Sequence, residues 1–333
     1  MFAKPTVSGN LLFIGSCAGK FLALDKATGK EIWSYDTKVD GGPFSFHGDP
    51  LIHKDLVLIP ADRGCKTHGY IYAFDKKTGK VRWKLRADAP ATSFVEAGDA
   101  VILGTRQDEW LAVDVDSGKL QWRFNDSAPD PQCEIPKLAA TDGTVLAFVS
   151  HDQVLHILDI KSGRERKRIV LSSPASSSLF MYKDVLYFGT EDGSLRSLNP
   201  ENGQWLGETK EPAVLSGHFA WTQRGSAYAE YAIGSGLGDK RNNGVVLAFT
   251  DEFGALLWSQ RAEMEWSSEQ PHLWKEWVIA GNCRGEIRAY RVTDGILAWR
   301  AHVQGCIRSF GHDASTLYVG VQEGTVYAYR PQR

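Results

Sequence analysis

Much of what would classify this chain at once is missing from it. No stretch approaches the roughly 18 apolar residues that a membrane-spanning helix needs, so no transmembrane segment is expected. Cysteine is sparse and odd in number, five in 333 residues (Cys17, Cys65, Cys133, Cys283 and Cys306), which argues against a full disulfide framework. Charge of one sign is lacking too. The formal net charge is −2 and the pI is near 6.5, without the positive field that phosphate backbones or anionic lipids select, so no nucleic-acid partner is expected. The opening MFAKPTVSGNLLFIG has neither the basic leader nor the apolar core of a signal peptide. As written, a cytoplasmic location follows; a start further upstream with an export signal would move the protein to the periplasm. No Cys-Cys pair, C-x-x-C-H, G-x-S-x-G or H-E-x-x-H occurs, which removes the usual signatures of haem attachment, serine hydrolases and zinc proteases.

What is present is a repeat. With 43% hydrophobic and 23% charged residues the chain is ordinary for a folded protein, yet it is long for one compact core, and a repeat resolves that conflict. Three segments superimpose without a gap: Ala23-x-Asp25-x-x-x-Gly29-x-x-x-Trp33, then Ala73, Asp75, Gly79, Trp83, then Ala112, Asp114, Gly118, Trp122. Each follows two runs of alternating apolar residues, such as LLFIG and KFLALD, the signature of a strand meander. Weaker copies lack the tryptophan, at Ile157, Asp159, Gly163, Lys167 and at Ser197, Asn199, Gly203, Gly207. The tryptophan returns in Ala248, Thr250, Gly254, Trp258 and in Ala289, Arg291, Gly295, Trp299, and a last partial copy starts at Thr316. The period of about 40 to 50 residues is that of a four-stranded propeller blade.

Each element of the motif has a physical task. The aspartates end a strand, where a short carboxylate bonds nearby backbone N–H groups, and the following Thr-Gly or Ser-Gly supplies the left-handed turn of a hairpin. Trp33, Trp83, Trp122, Trp258 and Trp299 fall on the outer strand, where an indole can bury its rings against the neighbouring blade while its N–H finds a carbonyl; they are the expected docking residues. The pattern resembles the tryptophan-docking motif of pyrroloquinoline-quinone (PQQ)-type propellers over nearly the whole chain. That family includes quinoprotein alcohol dehydrogenases and a non-catalytic scaffold lipoprotein of the bacterial outer-membrane β-barrel assembly machinery, so the motif is specific for fold and not for function.

The expected fold is therefore all-β, one eight-bladed β-propeller domain over residues 1–333 built from four-stranded antiparallel blades. The blades are expected at about 1–36, 44–86, 92–124, 134–170, 176–209, 217–260, 269–301 and 305–331. By the resemblance each blade runs from an inner strand A to an outer strand D. Inner strands would start near Ser45, Thr92, Glu134, Ser176, Gly217, Glu269 and Cys306. Ala328 matches Ala289, so the tryptophan matching Trp299 would fall beyond Arg333. The last blade is then expected to lack its outer strand, leaving TVYAYR as an edge open to self-association.

In such a ring the D-to-A and B-to-C connections emerge on one face, the loop face. All five cysteines map there, with His47, His68, His218 and His272 at or near it. Thiolate and imidazole are zinc ligands, but Cys65-x-x-His68 is half a site with no second half at legible spacing, and Cys17 and Cys283 occupy equivalent loop positions, as repeat-derived small residues would. No metal is expected. A candidate ligand site at the channel mouth comprises Lys4, Asp49, Lys137, His218, Glu269, Gln270 and Arg308. The insertion GSGLGDKRNNG at 234–244 lacks the Lys-Ser/Thr and helix of a phosphate loop and reads as a hairpin able to clasp a partner. Lys161, Arg164, Arg166, Lys167 and Arg168 crowd the outer edge of blade 4, where the tryptophan is absent.

Two functions compete. A scaffold would bind a protein or other partner through loop-face residues, with no catalytic residues and no cofactor. A quinone-dependent dehydrogenase, or a subunit of one, would need PQQ with calcium and a carboxylate base, and the catalytic members of the family carry an adjacent Cys-Cys pair that this chain lacks. The scaffold reading is favoured.

Overall fold

A computed structural model of the chain describes residues 3–64, 67–125, 135–136, 139–192, 194–210, 219–221, 227–233, 243–249, 256–262 and 272–330. The fold is all-β. Among these residues there are seven four-stranded antiparallel sheets and one three-stranded sheet, numbered here 1 to 8 in chain order and spanning 6–36, 51–88, 95–124, 140–170, 180–210, 219–262, 272–302 and 307–329. Sheet 1 shows the plan, a meander of Thr6–Ser8, Leu11–Gly15, Lys20–Asp25 and Glu31–Asp36. Sheet 8 has three strands, ending at Val326–Tyr329. No helix among the described residues is long and apolar enough to cross a membrane.

The sheets stand side by side as the blades of a β-propeller. First strands meet first strands: Thr6–Ser8 packs on Ile307–His312, which packs on His272–Trp274, and these strands therefore line the axis. The hydrophobic core is divided among the interfaces between neighbours. Phe13, Phe21 and Trp33 of sheet 1 meet Val57, Ile59, Tyr72 and Phe74 of sheet 2. Leu12 and Ile14, on the opposite side of sheet 1, meet Tyr318 of sheet 8. Alternation along each strand thus feeds both interfaces of a sheet.

The turn chemistry follows from the motif. Asp25 Oδ1 accepts the N–H groups of Ala27 and Thr28 and the Thr28 hydroxyl, at 3.1, 2.9 and 2.8 Å, and Asp75 repeats the arrangement. These bonds hold both carboxyls below the ordinary aspartate range. The residue opposite each motif tryptophan is alanine, as in Ala23 facing Trp33 and Ala73 facing Trp83, and a bulge follows it immediately. The bulge is the physical product of a five-residue turn set between antiparallel strands.

Each indole then crosses to the next sheet. The Nε1–H groups of Trp33, Trp83, Trp122 and Trp258 donate to the carbonyls of Lys76, Val115, Ile160 and Val292, at 3.0, 3.1, 3.0 and 2.9 Å. Their rings lie on the turn glycines of those sheets. A Cβ built on Gly79, Gly118, Gly163 or Gly295 would come within 2.5 to 2.6 Å of the indole. Each of these glycines also has a positive φ, near 70°, so it is required twice, for conformation and for close approach. Trp299 differs. It is partly buried and stacks on Tyr329 at 5.2 Å, and its N–H has no acceptor among the described residues. Between sheets 4 and 5, where the tryptophan is absent, a Cβ built on Gly203 would lie 3.6 Å from Ile169 and 3.8 Å from the stem of Lys167, ordinary contact distances.

One expectation needs correction. The inner strands do not run unbroken from Ser45, Thr92 and Ser176. Isolated bridges, Ser45–Asp62, Pro90–Thr105 and Ala175–Thr190, are followed by a break before short strands Leu51–His53, Val95–Ala97 and Phe180–Tyr182. At the break a hydroxyl substitutes for the lost ladder bond: Thr92 Oγ1 accepts from Gly104 N at 2.8 Å and Ser177 Oγ from Gly189 N at 2.7 Å.

Trp33→Ala is expected to cost about 3–5 kcal/mol in urea denaturation, through the cavity left between two sheets. Gly79→Ala should also destabilise, because its methyl would displace the same ring. Trp205, 43% exposed, serves as the control, and its replacement by alanine should cost under about 1 kcal/mol.

Candidate functional site

In several sheets the connection after the second strand opens with a side chain that accepts a backbone bond. Ser16 Oγ takes Lys20 N, Thr105 Oγ1 takes Gln107 N, and Asn282 Oδ1 takes Arg284 N, at 3.0, 3.2 and 2.9 Å. In sheet 2 the position is Asp62, whose Oδ1 takes Gly64 N at 2.6 Å. A carboxylate has capacity left over. The second oxygen of Asp62 lies 2.7 Å from His47 Nδ1, and Arg106 Nε, reaching over from sheet 3, donates to Oδ1 at 3.1 Å. Asp62 is fully buried. Burial pushes its carboxyl up, but the bond and charge of His47, the charge of Arg106 and the Gly64 N–H outweigh that and hold it below the ordinary range.

A second link continues the network. Asp108, in the sheet 3 connection, is buried and accepts from His151 N at 2.9 Å, and its carboxylate also bonds His151 Nδ1. The loops of sheets 2, 3 and 4 are thereby tied by buried acid groups to basic side chains from their neighbours. Asp62, Arg106, Asp108 and His151 were not singled out from sequence, since each type is ordinary in a turn. The available signal was a carboxylate at a position that other repeats fill with Ser, Thr or Asn.

One chain of bonds resembles a catalytic triad. Ser150 Oγ lies 3.2 Å from His156 Nε2, and His156 Nδ1 lies 2.6 Å from Glu165 Oε1. Ser150 and His156 are buried, at 2% and 0% exposure; Ser150 Oγ also bonds Val154 O at 3.1 Å and the Asp152 carboxylate, and the imidazole stacks on Phe148 at 5.0 Å. No substrate carbonyl can reach that hydroxyl, so the arrangement is packing with its polar atoms satisfied.

Of the proposed channel-mouth residues, Lys137, His218, Glu269 and Gln270 lie outside the described residues. Lys4 and Asp49 are brought together, with Lys4 N donating to Asp49 Oδ1 at 2.8 Å. Arg308, on the first strand of sheet 8, bonds Gln322 at 3.0 Å. His68 begins its strand among aromatic rings, 5.8 Å from Phe44 and 5.7 Å from Tyr70. Its suggested partner Cys65 lies outside the described residues, as do Cys133 and positions 234–242 of the insertion. No group of three His, Cys, Asp or Glu side chains able to hold a metal occurs among the described residues. On the edge of sheet 4, Arg166 pairs with Asp159, and the strand Glu165–Val170 is largely exposed.

Two expectations are overturned. Cys283 is not a repeat-derived small residue, because it is joined by a disulfide to Cys306, a bond between sheets 7 and 8, while Cys17 at the equivalent loop is free and exposed. His272 is not on the loop face. It opens the first strand His272–Trp274, opposite Ile279 at the middle of Trp277–Gly281, with Nε2 2.7 Å from Nδ1 of His312. His312, which ends the first strand of sheet 8, was missed because its partner is one repeat away.

A family profile described as "Outer membrane protein assembly factor BamB" matches residues 1–135, 66–180 and 107–236. The outer membrane protein assembly factor BamB of Moranella endobia is 21% identical over 98% of this chain and 84% of that protein. A quinohemoprotein alcohol dehydrogenase ADH IIB from Pseudomonas putida is 37% identical, but over 23% of this chain and 11% of the enzyme. The crystal structure of BamB from Moraxella catarrhalis superimposes with a TM-score of 0.75 at 16% identity, covering 98% of this chain and 96% of that one.

In the network around Asp62, Asp62→Asn removes the charge that His47 and Arg106 share, at an expected cost of about 1–3 kcal/mol at pH 7. A carboxyl depressed in the folded state stabilises fully above its unfolded value of about 3.9 and loses that contribution as pH falls through the folded value. The difference in urea stability between wild type and variant should therefore hold from pH 7 to about pH 5 and shrink below it.

Proposed function

Because the chain belongs to the family of the outer membrane protein assembly factor BamB, we propose that it is a non-catalytic scaffold that binds a protein partner through the loop face of an eight-bladed ring. In this reading the eight sheets are the blades of one closed propeller, the last with three strands among the described residues, and the docking tryptophans make the ring rigid. The observation that carries the proposal is the loop-face network of His47, Asp62, Arg106, Asp108 and His151. It locks the connections of three adjacent sheets into one preformed surface, the kind of rigid platform on which binding costs little ordering entropy.

The partner is a protein of outer-membrane assembly, by analogy with the name of the relatives. The site is the loop face with the 234–244 insertion, and no cofactor is called for. The Cys283–Cys306 disulfide supports an oxidising compartment, so the periplasm replaces the cytoplasm as the proposed location. Among the described residues no strand pairs with the outer side of Val326–Tyr329, and a second copy could associate there.

The local match to a quinohemoprotein alcohol dehydrogenase favours one alternative, a PQQ-dependent enzyme or its subunit. Adding PQQ with calcium separates the two: a ligand at a hundred times its dissociation constant stabilises by about 2.7 kcal/mol, and the scaffold reading expects no thermal shift. For the binding face, deleting 234–244 should leave the melting temperature within a few degrees and weaken capture of the partner from the native host. If capture survives the deletion but is abolished by reversing charge at Arg164, Arg166 and Arg168, the rim of blade 4 is the binding site.

A further inference from the structure

Cys283 stands in the connection after the second strand of sheet 7, and Cys306 directly precedes the first strand of sheet 8, Ile307–His312. The disulfide joins them across 23 residues of sequence. Each half of the bond is held by contacts that do not involve sulfur. Beside Cys283, Asn282 Oδ1 accepts the N–H groups of Arg284 and Glu286 at 2.9 and 3.0 Å, and Gly285 N donates to Asn282 O at 3.1 Å. Gly285 has a positive φ, its carbonyl takes Val303 N at 2.9 Å, and a Cβ built on it would lie 1.9 Å from Val303 O. On the other side, Cys306 N donates to the Glu323 carboxylate at 3.1 Å and Cys306 O accepts from Gln322 N at 2.8 Å.

The two segments also meet each other without sulfur. Ile307 N donates to Asn282 O at 3.2 Å, one residue away from each cysteine. Beneath that bond Ile279, Ile287, Ile307, Phe310 and Val321 pack sheets 7 and 8 together. Breaking the S–S bond therefore removes one tie among several and leaves two thiols side by side. A dithiol held in this way re-forms its disulfide as an intramolecular step, at high effective concentration.

The two sulfurs differ in access. Cys306 is buried, whereas Cys283 is half-buried in a loop-face connection. Exchange begins when a thiolate attacks a disulfide sulfur, and exposure assigns that sulfur to Cys283. We propose that Cys283 and Cys306 form a reversible thiol-exchange site on the loop face, at which Cys283 takes an incoming thiol as a mixed disulfide and Cys306 expels it.

The chemistry balances with a dithiol as reductant. One of its thiolates attacks Cys283 Sγ, the S–S bond breaks, and Cys306 leaves with the electron pair and takes a proton. The second thiolate of the reagent then attacks the reagent's own sulfur in the mixed disulfide and releases Cys283, which is protonated in turn. The protein gains two electrons and two protons, and the dithiol becomes a disulfide. With a monothiol, Cys306 instead attacks Cys283 Sγ in the adduct, expels the monothiol and restores the original bond. Cys17, free and exposed at the equivalent loop of sheet 1, has no such partner, so an adduct there should persist. This inference is independent of the scaffold reading, because it rests only on the two segments that carry the cysteines.

The test uses the full chain under native conditions. Dithiothreitol should reduce the pair while thermal unfolding stays cooperative, and exchange into a glutathione redox buffer should re-form the Cys283–Cys306 bond while glutathione remains on Cys17. Trypsin cuts at Arg284 and Arg300, so mass spectrometry reads Cys283 and Cys306 on separate peptides after the remaining thiols are blocked. In Cys306→Ser, oxidised glutathione should label Cys283 and the adduct should persist. In Cys283→Ser, Cys306 should be labelled at least tenfold more slowly. Resistance of the wild-type bond to dithiothreitol until the chain unfolds, loss of the cooperative transition on reduction, or labelling of Cys306 as fast as Cys283 would each overturn the proposal.

Discussion

The indole of one sheet lying on the turn glycine of the next is the contact from which the rest of this architecture follows. It sets the spacing between sheets through the closeness of ring and glycine. It also sets their rotation, because the N–H must reach one carbonyl just past the end of the third strand, as Trp33 reaches Lys76. A flat aromatic ring with a single donor at its edge performs both tasks with few rotatable bonds, so little side-chain entropy is lost. The small residue opposite each indole and the bulge beside it are further parts of the same contact. Where the tryptophan gives way to Lys167, Ile169 and the Lys167 stem meet the turn glycine of sheet 5 in place of an indole, and the outer strand there is largely exposed.

This economy explains what could be read in advance. The docking motif occupies a few consecutive positions, so its geometry is local and each copy announces itself: Ala, Asp, Gly and Trp stand at fixed spacing because a strand end, a turn and a strand start cannot be spaced otherwise. The meander follows from that spacing and from alternation in runs such as LLFIG. The inner strands were harder. They contain few residues, their ladder is interrupted, and Thr92 and Ser177 perform by side chain what a regular strand would do by backbone.

The site was less legible for a related reason. Asp62 and Arg106 come from different repeats, as do Asp108 and His151 and also His272 and His312, and nothing in one repeat marks its residue as the partner of the other. An aspartate after a strand is by default a turn residue, and Asp62 does serve its own turn through Gly64 N. Its second role exists only because the next sheet stands close enough for Arg106 to arrive. Cys283 and Cys306 show the same thing, since equivalence within the repeat pointed to Cys17 as the counterpart of Cys283, whereas proximity between sheets selected Cys306.

The seam between sheets 8 and 1 differs in kind from the others. Within each sheet every contact is made with the adjacent strand of a meander, over short stretches of chain, but Ser309 bonds Ala3 across 306 residues and Lys26 meets Asp313 across 287. Bringing such distant segments together carries the largest loop-closure entropy in the molecule, and that cost is recovered only once the intervening sheets are in place. On that ground the seam is expected to close last, after neighbouring sheets have packed. A partner that gripped sheets 8 and 1 together would act as a clasp on the ring at the point where it opens most easily.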